Sequence, residues 1–114
     1  MSVLIVFKII AAIATLGTGV LALVKPTAVY GFTGLQAAGA RGVSEIRAIF
    51  GGLFIALGVA PFIFGETGYL VLGFGYLAIA ITRLFSIIID HSTDRSNLIS
   101  LGIEIVLGII LVLR

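Results

Sequence analysis

Five ionisable side chains lie within runs of aliphatic and aromatic residues: Lys8, Glu45, Arg47, Arg83 and Glu104. An ionised group in hydrocarbon is costly unless it is paired, hydrated or able to reach the interface, so each is a candidate for function or for structural pairing. Lys8 is close to the start of its run and is expected to snorkel along its own stem. Glu45 and Arg47 are two apart, point to different sides of a helix and do not pair with each other on one face. Glu45 directly follows Ser44, which suits a helix start, where a carboxylate meets the positive end of the dipole. Arg83 lies seven residues before Asp90, and Glu104 seven after Asn97. At about 1.5 Å per residue, both are then roughly 10 Å from the same membrane face. Opposite charges at matching depth on successive antiparallel helices are expected to be partners.

Glu45 and Arg47 approach from that same face, so the four residues Glu45, Arg47, Arg83 and Glu104 can form one neutral cluster. Two readings of the cluster stand side by side. It is an ion-pair network that sets helix register and topology, or it is a polar site for a headgroup, a small solute or a proton. An arginine beside Glu104 favours the ionised carboxylate, which disfavours proton-coupled transport. No catalytic residue is expected. Cysteine is absent and histidine occurs once, at His91, so no metal site and no cofactor are expected.

The elements that position these charges follow from composition. Of 114 residues, 61% are hydrophobic and 11% charged, against roughly 45–50% and about 25% in an ordinary soluble domain. A small soluble domain cannot hide so much apolar surface. A spanning helix needs about 20 mostly apolar residues, so the chain accommodates four. The runs are about Val3–Val24, Ser44–Phe64, Tyr69–Ile89 and Leu98–Leu113, the last extending back to Ser96 or Asn97 on a wider reading. A barrel would need alternating polarity, which these runs lack. The predicted architecture is an all-α, four-helix transmembrane bundle, a single domain over residues 1–114.

Lys25-Pro26 closes the first span, Gly65-Glu66-Thr67-Gly68 makes a tight turn, and the loop from His91 to Asn97 is rich in turn and capping residues. The connector from Pro26 to Val43 carries Val29, Tyr30, Phe32 and Leu35 among glycines. It is expected to lie at the membrane interface, with a lid over the bundle as the alternative. Lys8 before a long apolar run has the outline of a signal peptide, but Leu21-Ala22-Leu23 is a poor cleavage site, and the first span is expected to be retained. Lys25, Arg41 and Arg95 gather on the side of the two longer loops, with Arg47 just inside, which favours both termini outside the cell.

Small residues recur every four positions at Ala48, Gly52, Ala56 and Ala60, and on the first span at Ala11, Thr15 and Gly19 and at Ala14, Thr18 and Ala22. Such stripes let helices approach closely, within one chain or between chains. No basic cluster suggests nucleic acid.

The segment from Glu45 to Gly52, reading EIRAIFGG and preceded by Pro26 and Gly34-Leu35, resembles a family of small bacterial four-helix membrane proteins of unassigned function, in the DoxX-like neighbourhood. The resemblance covers the whole chain in length and span count. It implies a four-helix bundle in the bacterial inner membrane and a special role for Glu45 and Arg47. DoxX-like relatives are connected with sulfur or quinone redox chemistry, from which a chain without cysteine departs.

The function expected is that of a non-enzymatic accessory or scaffold component of a membrane assembly, with membrane lipids and a homo-oligomer or larger complex as partners. The alternatives are a homo-oligomeric small-solute transporter and a lipid- or quinone-binding protein. The size suits a small multidrug-resistance exporter, but those proteins rely on a glutamate in the first span, where this chain has Lys8.

Overall fold

In lipid every backbone N–H and C=O must be satisfied within the protein, and helices do so segment by segment. The computed structural model describes residues 2–114 and is all-helical, with four helices long and apolar enough to cross a membrane. Helix α1 (Val3–Val24) is followed by the short α2 (Ala28–Thr33) and by α3 (Gly39–Glu45). A π-helical segment, Ile46–Leu53, joins α3 to α4 (Phe54–Phe64) without a break, so that one 26-residue span runs from Gly39 to Phe64. Helices α5 (Glu66–Ile89) and α6 (Arg95–Val112) complete the chain.

Helix α1 packs on α4 and the π segment, α4 on α5, and α5 on α6, which returns to α1. The longest dimension is 44 Å and the shortest 17 Å. The first matches a bilayer with its headgroup layers, about 40–45 Å, and the second leaves room for about two helices of ~10 Å diameter, with no wide lumen between them.

Several boundaries differ from those read in the sequence. The second span starts at Gly39, inside the expected connector, because α3 runs straight into the π segment. The expected four-residue turn shrinks to Gly65, whose φ of 66° is open to glycine without strain, and Glu66 already begins α5. The remaining connector is held down by Val29, which is fully buried against Ala22 and Ile46. Thr33 closes α2: its hydroxyl donates to the Val29 carbonyl at 2.6 Å and accepts from the Leu35 N–H at 3.0 Å. Gly34 then takes the left-handed conformation that ends many helices, at φ 75°. Tyr30, Phe32 and Leu35 stay exposed around this anchor, which suits a segment lying in the headgroup layer.

The close helix contacts run through glycine. A Cβ at Gly58 would stand 2.7 Å from the Leu16 nitrogen and 2.9 Å from the Ala12 carbonyl oxygen, and one at Gly19 would stand 2.8 Å from the Ile55 nitrogen. Gly51 lies against Leu23. The face of the second span that meets α1 is therefore set by Gly51 and Gly58, not by the regular stripe. Ala48, Gly52 and Ala56 face outward, and Ala60 is only half-buried. The reason is angular. Ala56 lies two residues from Gly58, about 200° around an α-helix, and the wider π turn, with its i→i+5 bonding, displaces the residues before it. Of the two stripes on α1, Ala11, Thr15 and Gly19 are buried, whereas Ala14 is exposed and Thr18 only half-buried.

Backbone-to-backbone contact of this kind cannot be relieved by a rotamer change. Gly58→Val is therefore expected to separate α1 from α4 and to lower the thermal unfolding midpoint in detergent by several degrees or abolish folding. Gly17→Ala, where a Cβ meets nothing within 4 Å, should instead be neutral or stabilise by up to about 1 kcal/mol through helix propensity. Circular-dichroism melts of the two variants provide the comparison.

Candidate functional site

Hydrocarbon forces polar side chains to find partners inside the bundle, and α5 carries them at a heptad spacing: Tyr69, Tyr76 and Arg83. Residues seven apart lie almost above one another, about 10 Å along the axis. Helix α1 answers at the first two levels and α6 at the third.

Near the terminal face the Lys8 amine stands 5.9 Å from the centre of the Tyr69 ring. Lys8 is 4% exposed, so it does not snorkel to the interface as expected from its position. The physical reason is that α5 covers it and the negative ring face of Tyr69 gives the ammonium a partner in place of water.

In the middle of the bundle the Thr15 hydroxyl donates to the Ala11 carbonyl at 2.8 Å. With that proton committed, the Tyr76 hydroxyl donates to Thr15 Oγ1 and ties α5 to α1. Both side chains are thereby satisfied without water.

The third level holds the strongest contact. Arg83 Nε and Nη2 donate to the two carboxylate oxygens of Glu104, each at 2.7 Å, and Nη1 donates to Asn97 Oδ1 at 2.7 Å. Asn97 in turn donates through Nδ2 to the Ser92 carbonyl and hydroxyl, at 3.0 and 2.9 Å. The fork-to-fork geometry fixes the α5–α6 register and depth together, and charge-assisted bonds of this kind are the strong ones. The side chain of Glu104 is 12% exposed and that of Arg83 30%.

Of the four residues grouped from the sequence, the structure brings Arg83 and Glu104 together and leaves Glu45 and Arg47 apart from them. Glu45 bonds Arg41 one turn earlier at 3.2 Å on an exposed surface, a pairing that contributes little in water. Arg47 is exposed in the π segment and has no ion-pair partner among the described residues. In place of one neutral cluster of four there is a single pair from the group, Arg83–Glu104, with Glu45 bonded to Arg41 outside it and Arg47 without an ion-pair partner among the described residues. The reason is that equal depth places charges at one level without placing them on facing helices: α5 and α6 adjoin, whereas the π segment lies against α1 and α3 packs on the π segment. Asn97, Tyr76 and Thr15 were not singled out as polar partners in the sequence. The available signal was periodic: Tyr76 lies seven residues before Arg83, and Asn97 seven before Glu104.

Two further hollows flank the connector. One of about 280 Å³ is lined by Pro26, Tyr30, Gln36 and Ile46, and one of about 230 Å³ by Leu35, Ala38, Glu45 and Phe50. Among the described residues, no group of His, Asp and Glu could hold a metal ion.

A buried charge left without its partner destabilises far more than the loss of the whole pair. Arg83→Ala is expected to cost about 3–5 kcal/mol by stranding Glu104. The double replacement Arg83→Met with Glu104→Leu should recover most of that loss. Unfolding in detergent is followed for the wild type and Arg83→Ala, and for Arg83→Met, Glu104→Leu and the double replacement, whose cycle with the wild type gives the coupling.

No curated protein matches the chain, and no solved structure does. A family described as a domain of unknown function, DUF4345, matches residues 3–114. With its four apolar helices and a match across nearly its whole length, the chain is a small membrane protein that belongs to the DUF4345 family.

Proposed function

We propose that this protein is a non-enzymatic scaffold or accessory component of a membrane assembly, partnered through its outer helix faces by copies of itself or by other subunits. The observation that carries the reading is the outward position of Ala48, Gly52 and Ala56. These small residues are exposed on the outside of the chain, and small-xxx-small stripes are the surfaces on which helices associate in lipid. The interior polar groups support the same reading, since Arg83, Glu104 and Asn97 satisfy one another and need no ligand.

We place the protein in the bacterial inner membrane, in the DoxX-like neighbourhood, with both termini outside. The support is the basic residues Lys25, Arg41 and Arg95 beside the two longer loops and the EIRAIFGG segment of the second span.

Extraction of the tagged native protein in a mild detergent, followed by native mass spectrometry, tests the assembly. Masses above that of one chain are expected, as homo-oligomers or with foreign subunits. Gly52→Leu and Ala56→Leu should shift them toward single chains without loss of helicity. A wild-type protein that is monomeric in detergent and in nanodiscs overturns the reading.

A further inference from the structure

The connector between α1 and the second span encloses a hollow of about 280 Å³, many times the ~30 Å³ that a water molecule occupies in the liquid. One wall is Pro26, Thr27 and Tyr30, after the end of α1, and the other is Val43 and Ile46 on the second span, with Gln36 added from the connector. Each wall adjoins a cation. Lys25 immediately precedes Pro26, and Arg47 directly follows Ile46. Arg47 is also four residues after Val43, so the two share a side of the span.

Both cations lie at the level of the lipid headgroups. Helix α1 has 22 residues, a length of about 33 Å that is close to the ~30 Å thickness of the hydrocarbon. Val24 therefore marks the hydrocarbon edge, and Lys25 is the first position beyond it. The second span runs antiparallel to α1, with Gly58 against Leu16 and Gly51 against Leu23. Residues before Gly51 thus lead outward, and Arg47, four earlier, stands up to about 6 Å past that contact. Among the described residues, the side chains of Lys25 and Arg47 enter no ion pair and no hydrogen bond, and those of Thr27, Tyr30 and Gln36 make no hydrogen bond either. All five residues are exposed. Arg41 differs, since Glu45 already holds it. The corner thus gathers two uncompensated positive charges and three polar groups at the depth where phosphates are the neighbouring anions.

We propose that this corner binds the headgroup of an anionic phospholipid, with Lys25 and Arg47 holding its phosphate from the two walls and Thr27, Tyr30 and Gln36 bonding the rest of the head. Charge complementarity selects the occupant. Two unpaired cations favour a lipid with net negative charge over phosphatidylcholine, whose own ammonium compensates its phosphate. A guanidinium also presents paired N–H donors that match phosphate oxygens. The acyl tails stay in the bilayer, so the hollow receives the head alone.

The test uses the full-length protein in phosphatidylcholine nanodiscs doped with dioleoylphosphatidylglycerol, and native mass spectrometry reads the lipid retained per chain. Saturable retention of phosphatidylglycerol over phosphatidylcholine is expected. Arg47→Gln and Lys25→Gln should each weaken it roughly fivefold, equivalent to about 1 kcal/mol. Thr27→Val combined with Gln36→Leu leaves the charge untouched and should also weaken it, which attraction to a basic surface alone does not predict. Arg41→Gln combined with Glu45→Gln removes the neighbouring pair and should leave retention unchanged. All these positions are exposed, so helicity by circular dichroism should match the wild type. Inorganic phosphate, replacing chloride at equal ionic strength, should not displace the lipid. The proposal is overturned if phosphatidylglycerol is retained no better than phosphatidylcholine, or if Arg47→Gln, Lys25→Gln or the Thr27/Gln36 variant binds as well as the wild type. It is equally overturned if the Arg41/Glu45 variant loses as much as Arg47→Gln, or if inorganic phosphate displaces the lipid.

Discussion

The near-contact of backbones between α1 and the second span is the constraint on which the rest of the bundle depends. Lipid tails are as apolar as leucine, so no hydrophobic force presses these helices together, and association relies on packing and interhelical polar contacts. Gly19, Gly51 and Gly58 permit that packing by removing the side chains that would hold the helices apart. The same device recurs on the other side of the bundle, where Gly73 and Gly108 let α5 and α6 close on each other through Leu111 and Leu77. Because Gly51 and Gly58 must both reach α1, the π segment between Ile46 and Leu53 decides which residues are left outside.

Polar contacts then set the axial position of helices that glycine merely allows to touch. Tyr69, Tyr76 and Arg83 repeat at seven residues along α5, and each meets a different kind of partner: an ammonium, a hydroxyl and a carboxylate. A one-residue slip of α5 would rotate all three away together. The three contacts are thus coupled by helix geometry, although only the Arg83–Glu104 pair has the bidentate form that resists small displacements. At the third contact Asn97 and Ser92 extend the network to the loop before α6.

The outer side of the second span lies apart from this interior: Ala48, Gly52 and Ala56 are exposed there, and small residues let a neighbouring helix backbone approach closely.

Hydropathy alone determined the membrane class, the all-helical fold and the number of spans, because hydrocarbon imposes a length and an apolar content that four runs of this chain meet. It also determined the level at which Arg83 and Glu104 lie, since depth follows from residue count and the rise of a helix. Tertiary structure decided what residue counting cannot reach: which helices are neighbours, and through which faces. Matching depth therefore identified Arg83 with Glu104 but wrongly gathered Glu45 and Arg47 to them. The regular stripe at Ala48, Gly52, Ala56 and Ala60 left open whether it packs within the chain or between chains, and the folded chain turned Gly51 and Gly58, rather than the stripe, toward α1. Lys8 gave no sign of its place beside Tyr69, because a lone lysine near a helix end reads as interfacial until a neighbouring helix covers it. Periodicity along one helix is a local property, whereas the angle at which that helix meets its neighbours, and any π turn that shifts it, depends on contacts between segments distant in the chain.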